Sequence, residues 1–360
     1  MLFNIRKIFI ISLWCLVAAI AAAQAPAGYY DSAEGKTGTA LQQALHDIID
    51  NHTYITYDQL WTAFKKTDKK ADGTVWDIYS DKPSGKPAYT YIFVTDQCGT
   101  YSIEGDCYNR EHSFPKSWFG GENKYPMYSD LFHLYPTDGY VNGRRNNYPY
   151  GETDSPDYTS TNGSKLGPCS VTGYTKTVFE PIDEYKGDLA RTYFYMATRY
   201  YGEDGSWPKD VSDMVTGSQP KAWALTMLLQ WAKEDPVSQK EINRNDSIFK
   251  IQHNRNPFID YPLYADMIWG TLSSTGETQA DEQGMVIYPN PVSSHLTIAL
   301  PFDHSTEIVI QVYDFNGCLA KTVITEESNP GIDVNDLKAG LYLLQVTCEN
   351  KRYTGRFIVK

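Results

Sequence analysis

The sequence predicts an α+β protein, a mixed and largely helical domain followed by a small all-β sandwich. Three observations carry this. Apolar residues recur at helical spacing through the first 270 positions, as at Leu41, Leu45, Ile48 and Ile49. After position 285, short β-rich runs alternate with Asn-Pro, Asn-Gly and Ala-Gly turns. Between these regions, Thr271 to Gln283 is polar apart from Leu272 and Ala280, the composition of a linker. The expected division is 1–23 as a leader, 24–271 as the larger domain, 272–284 as the linker and 285–360 as the sandwich.

The leader opens on Arg6 and Lys7. Ile8 to Ala23 then runs uncharged and ends in three small residues, Ala21 to Ala23. That pattern is a secretory signal peptide, too short and too rich in Ala for a membrane span. No other stretch approaches spanning length. The mature chain is therefore expected outside the cytoplasm, where disulfides persist. Cys98 and Cys107 flank a short Gly-containing segment and are the expected pair.

Within 24–271, Leu60 and Phe64 mark a second helix and Thr90 to Val94 reads as a strand. A helix is expected to begin near Asp188, carrying Leu189, Tyr193, Met196 and Tyr200. Trp223 to Trp231 reads as a buried helix. In the sandwich, strands are expected at 285–288, 296–300, 308–313 and 341–346.

Net charge is −12, with 32 Lys and Arg against 44 Asp and Glu. Such a chain does not coat nucleic acid by bulk charge, although a local basic cleft is compatible with it. The 28 Tyr, 8 Trp and 14 Phe fill cores and also suit stacking on bases or sugars. No GxSxG or Walker motif is present.

The chemistry concentrates between Asn109 and Gly151. Glu111, His112, Lys116, Asp130, His133, Asn142, Arg144, Arg145 and Asn146 all fall there. Glu111-His112 reads as a strand, Gly120-Gly121 as a loop, and Asp130 to Tyr135 as a short strand. Thr137 or Asp138 is placed to cap a following helix. On that helix Asn142, Arg145 and Asn146 are spaced to share one face. This set suits phosphodiester hydrolysis. A neutral His is a base at neutral pH. Glu and Asn oxygens suit a hard divalent ion, and Arg matches phosphate. Adjacent residues on a strand face opposite ways, so Glu111 and His112 share a site only where the strand twists or ends.

Arg110-Glu111-His112-Ser113 with Pro115 and Trp118, Ser129 to Leu134 with Pro136, and Val141-Asn142-Gly143 with Arg145 and Asn147 resemble the endonuclease I family. Phe179-Glu180-Pro181, Gly187-Asp188, Arg191 to Met196 and Asn254 to Ile259 extend the likeness. The resemblance implies a ββα-metal nuclease core and a secreted nonspecific endonuclease acting on DNA, with RNA as a further substrate. It implies His112 as general base, Glu111 and Asn142 as ligands of Mg²⁺ (or Ca²⁺ or Mn²⁺), and products ending in 5′-phosphate. Asn146 is the rival ligand. No Arg occurs between Ser113 and Gly143, where some members clamp the phosphate, so Arg145, Lys116 or Lys124 is expected to substitute. Asp130 and His133 are expected in support, Glu180 as a loop brace, and Asn254 to Asn256 as a buried turn with satisfied polar groups, a DNA contact by Arg255 being the alternative.

Tyr288-Pro-Asn-Pro-Val292, Asp314-Phe-Asn-Gly317 and Gly340-Leu-Tyr342 resemble the C-terminal sorting domain of the type IX secretion system. This implies that machinery as a partner and a secreted or cell-surface location, reached through the periplasm. Two other functions compete: a zinc hydrolase built on Glu111, His112 and His133, which lacks HExxH, and a non-enzymatic surface glycan binder.

Overall fold

The computed structural model describes residues 25–270, 285–300, 308–314, 319–327, 330–348 and 351–360. The signal peptide and the 272–284 linker lie outside the described residues. Among the described residues, no helix is long and apolar enough to cross a membrane.

The larger unit is α+β. Helices α1 (Gly38–Ile49) and α2 (Leu60–Thr67) form where the apolar spacing places them, and each buries its apolar side. Strands β1 (Tyr108–His112) and β2 (Leu134–Asp138) pair antiparallel and lead into α3 (Gly139–Arg145). A second sheet follows, β3 (Tyr158–Thr159), β4 (Lys165–Pro168) and β5 (Thr177–Glu180). Next come α4 (Lys186–Arg199), the small hairpin β6 (Val215–Thr216) and β7 (Gln219–Pro220), then α5 (Ala222–Glu234), α6 (Gln239–Gln252), α7 (Pro257–Asp260) and α8 (Tyr264–Trp269).

Helix α4 is the axis of this unit, with all 14 of its residues buried. Its charged residues survive burial because each is paired. Lys186 meets Glu180 at 3.1 Å and Arg191 meets Glu241 at 2.5 Å. Lys240 from α6 reaches Asp188 at 3.0 Å. An unpaired charge at such depth would cost several kcal/mol.

The C-terminal residues form two sheets around a separate apolar core of Leu296, Ile298, Ile310, Val312, Leu344, Val346 and Phe357. One sheet has the order β11-β10-β13-β14 (Leu319–Thr325, Ile308–Asp314, Gly340–Cys348, Lys351–Val359). The other is β12-β9-β8 (Gly331–Asp333, His295–Ala299, Val286–Tyr288).

Several elements depart from expectation. Thr90 to Val94 is not a strand. Its aromatics turn inward instead: Tyr91 and Phe93 pack on Tyr108, the Tyr91 hydroxyl donates to Asp138, and Val94 takes φ 75°. The strand expected from Asp130 starts only at Leu134, because the preceding backbone amides bond locally: Asp130 to Met127, His133 to Asp130. Asn146 lies past the end of α3, with φ 52°. Helix α6 was not expected, although Ser238 and Glu241 form a capping box at its start.

Candidate functional site

The β1–β2–α3 unit is braced before any reactive group is placed. Asp138, fully buried, accepts from Val141 N at 2.8 Å and so caps α3. Its other oxygen takes Tyr89, Tyr91 and the Gly105 amide. Tyr101 packs on the helix. A Cβ on Gly139 would come within 2.5 Å of its ring and one on Gly143 within 2.8 Å of its hydroxyl, so a side chain at either position would displace Tyr101. The Cys98–Cys107 disulfide ties the segment entering β1, with Cα atoms 5.7 Å apart.

One face of β1 carries Asn109 and Glu111, two residues apart, and α3 packs against it with Asn142 and Arg145. Asn142 Nδ2 donates to Asn109 Oδ1 at 2.7 Å, which leaves the Asn142 oxygen uncommitted. Glu111 Oε1 accepts from Tyr79 OH at 2.9 Å and Arg145 Nη1 at 3.1 Å. Both bonds fall on one oxygen, so Oε2 stays available. Burial pushes the Glu111 carboxyl up from its usual range, and the Arg145 charge pulls it partly back.

Arg145 does not stand where a phosphate clamp would. It is 1% exposed, and its Nη1 and Nη2 also donate to the carbonyls of His112 (3.0 Å) and Ser113 (2.7 Å). The guanidinium lies over the Tyr150 ring. A fork committed to three protein oxygens is a brace for Glu111 and the end of β1, which corrects the expectation of a substrate-facing Arg.

His112 points to the other side of the strand end. Its ring is near-parallel to those of Tyr57 (5.7 Å) and Tyr128 (5.3 Å). Its Nε2 lies 3.2 Å from the Tyr128 carbonyl. A carbonyl only accepts, so Nε2 carries the hydrogen and Nδ1 keeps the lone pair. Burial, reinforced by His133, holds the imidazole well below its ordinary value and hence neutral at pH 7.

The other nominated residues sort by contact. Asp130 is fully buried and accepts from Tyr195, Tyr200 and Gln252. His133 Nε2 meets the Met127 carbonyl at 2.7 Å, and its ring sits 5.5 Å from that of His112. Lys116 pairs with Glu122 at 2.7 Å. Arg144 is exposed over Tyr158, and Asn146 and Lys124 are exposed. Glu180 takes the Thr153 amide, Lys165 and Lys186, a loop brace. Arg255 is 2% exposed and bound by Asp246 and Asp260, so it does not reach toward DNA.

The zinc alternative lacks its geometry: among the described residues Glu111, His112 and His133 do not bring three ligand atoms together. The group of three that does converge among the described residues is His46, Asp50 and Glu203, whose ligand atoms lie within 4.8 Å of one another. There Arg199 already pairs with Asp50 and Glu203, both at 2.9 Å.

Sequence reasoning passed over Tyr57, Tyr79, Tyr128 and Asn109, which frame these groups. Asn109 was adjacent to the motif and carried a readable signal, since it sits two residues before Glu111 on the same face.

The endonuclease I family model matches residues 37–263. The model of the secretion system C-terminal sorting domain matches residues 286–360. The chain is 38% identical over 246 residues to an extracellular ribonuclease of Bacillus amyloliquefaciens, which covers 67% of this chain and 78% of that one. An extracellular ribonuclease of Bacillus subtilis is 37% identical over 247 residues, with the same coverage. An endonuclease-1 of Buchnera aphidicola is 31% identical over 240 residues, 59% of this chain and 86% of that one.

Proposed function

Because this chain belongs to the endonuclease I family, we propose that it is an exported nuclease that hydrolyses DNA and RNA without regard to base sequence. The relatives named extracellular ribonuclease support RNA as a substrate, and a periplasmic deoxyribonuclease of Aeromonas hydrophila, 28% identical over 136 residues, supports DNA. The sorting domain supports release to the cell surface or medium through the type IX machinery. We assign residues 24–271 to catalysis, 272–284 to a linker and 285–360 to sorting.

The observation that carries the chemistry is the fixed tautomer of His112 at the end of β1. Nδ1 takes a proton from water, the water oxygen bonds to phosphorus, and the bond from phosphorus to O3′ breaks. The departing oxygen takes a proton from solvent, leaving 5′-phosphate and 3′-hydroxyl ends. Neutrality at pH 7 suits a general base.

Glu111 Oε2 and Asn142 Oδ1 remain free after the hydrogen bonds above are made, and β1 ends at His112, directly after Glu111, so that the donors and the base can serve one phosphate at the strand end. Oxygen donors fit a hard cation such as Mg²⁺, Ca²⁺ or Mn²⁺. When bound, such an ion supplies positive charge to the phosphate and to the leaving oxygen. Asn109 and Arg145 orient the two donors. Asp130 and His133 hold the loop on which the His112 carbonyl partner sits.

The test is cleavage of plasmid and of a structured RNA by the purified mature protein with Mg²⁺, then with EDTA. Loss of cleavage on chelation and its return with Mg²⁺ is the expected result. Cleavage untouched by EDTA would remove the cation, and no cleavage of either polymer would remove the nuclease.

A further inference from the structure

The region from Gln24 to Ser273 holds 24 Lys and Arg against 33 Asp and Glu, a net charge of −9. Nucleic acid is therefore held by local cations, and the basic residues near His112 differ sharply in readiness. Arg145 is buried, and both of its terminal nitrogens are spent on Glu111 and the carbonyls of His112 and Ser113. Lys116 is tied to Glu122.

Arg110 is different. Its guanidinium lies 3.7 Å over the Tyr57 ring and 4.5 Å from the Trp61 ring, which pins a normally mobile side chain. Both of its hydrogen bonds, to the Tyr57 carbonyl at 2.8 Å and to Asp58 at 3.4 Å, fall on Nη1. Nη2 and Nε are left to donate elsewhere. The Asp58 carboxylate is 93% exposed, so water screens that opposing charge. Arg110 also lines an open cavity of about 440 Å³ with Tyr57, Trp61, Gln97 and Asn109.

The position in the strand gives this cation a partner. Arg110 and His112 are two residues apart in β1, and both pack on Tyr57, so they share a face. Residues i and i+2 of a strand are about 6.6–6.8 Å apart. Consecutive phosphates along a nucleic-acid strand are separated by a comparable distance. We propose that Arg110 and its cavity bind the phosphodiester next to the scissile one. The site would thus set the register of the strand while His112 acts on the neighbouring phosphate.

This inference rests on the nuclease reading and goes beyond it by naming a second subsite and its ligand, a charged phosphodiester. Arg110 contacts the substrate without touching the reacting atoms.

The experiment uses the mature protein and trinucleotides with two linkages. One substrate has two phosphodiesters. In the others, the first or the second linkage is a neutral methylphosphonate. For wild type, one neutral placement should raise KM about tenfold or more with little change in kcat, the loss expected of a charge-assisted hydrogen bond. Arg110→Met should show the raised KM already on the charged substrate and no further loss on the neutral one. Its dependence of log affinity on log salt, measured on a single strand, should be shallower by about 0.7. Arg110→Lys keeps the charge but not the fork, and should keep the salt slope while losing part of the affinity.

A wild type indifferent to both neutral placements overturns the proposal without any variant. So does an Arg110→Met enzyme that loses as much as wild type when the linkage is neutralised. Plasmid cleavage by the same wild-type sample separates the outcomes. If plasmid is cut but the trinucleotides are not discriminated, only the Arg110 subsite fails. If plasmid is not cut, the nuclease reading fails and this inference with it.

Discussion

Replacing Arg145 by Met separates a brace from a substrate clamp. The change keeps much of the apolar stem and removes the guanidinium. Glu111, 3% exposed, then loses its cationic partner, and the carbonyls of His112 and Ser113 lose the guanidinium, Ser113 keeping the Tyr193 hydroxyl. Removing one partner of a buried ion pair costs about 3–5 kcal/mol, because the remaining charge is left uncompensated. For a domain of about 150–250 residues each kcal/mol moves Tm by about 2–4 °C, so a drop of about 6–20 °C is expected. Urea unfolding of the purified mature variant, followed by far-UV dichroism, gives the midpoint, and a thermal scan gives the second reading. Glu111 should also become harder to ionise, since burial already pushes it up and Arg145 was the opposing charge. Affinity for the divalent ion should fall with it. Arg145→Lys should recover part of the stability, because one ammonium restores charge but cannot span Glu111 and two carbonyls. An Arg145→Met protein with wild-type midpoints, raised KM and a shallower salt slope would refute this reasoning and return Arg145 to the phosphate.

Four further outcomes follow from the same geometry. His112→Ala should lose cleavage on the order of a hundredfold or more while remaining folded, checked by plasmid assay and dichroism; near-wild-type turnover removes His112 as the base. Glu111→Ala and Asn142→Ala should each weaken divalent-cation binding in calorimetry, whereas Asn146→Ala should not, since Asn146 lies past the end of α3 and is exposed. The base works deprotonated and its value is lowered, so single-turnover cleavage should stay flat as pH falls to 6.5 and decline only well below it; an acid limb centred above 6.5 contradicts the burial argument. Deleting 285–360 should leave recombinant cleavage intact, because every reactive group lies before residue 270, while in the native host the truncated nuclease should stop in the periplasm, as fractionation would read.

Much of the scaffold was legible because it follows from periodicity. Leu41, Leu45 and Ile49 are each fully buried on α1, as their spacing requires. The order strand, loop, strand, helix was readable from Asp138 as a cap and from the glycines before it. Thr90 to Val94 was not, since β-rich composition also describes a coil that buries aromatics singly. Helix α6 was missed for the opposite reason. It buries Arg244, Asn245 and Gln252 on polar partners, so its inner face carries little apolar signal.

The site shows the limit most clearly at Arg145. Its spacing from Asn142 placed both on one helix face, and the structure has them there, one on Asn109 and the other on Glu111. An Arg in the last turn of a helix is favoured by the helix dipole whatever it touches. Helical position alone therefore does not distinguish a cation facing solvent from one facing a buried carboxylate. What decides is how α3 packs on β1. That packing sets Arg145 against Glu111 and, at the end of the strand, within 3.0 Å of the His112 carbonyl. With Arg145 spent in this way, the phosphate subsite proposed above falls to Arg110, which shares the face of His112 and not that of Glu111.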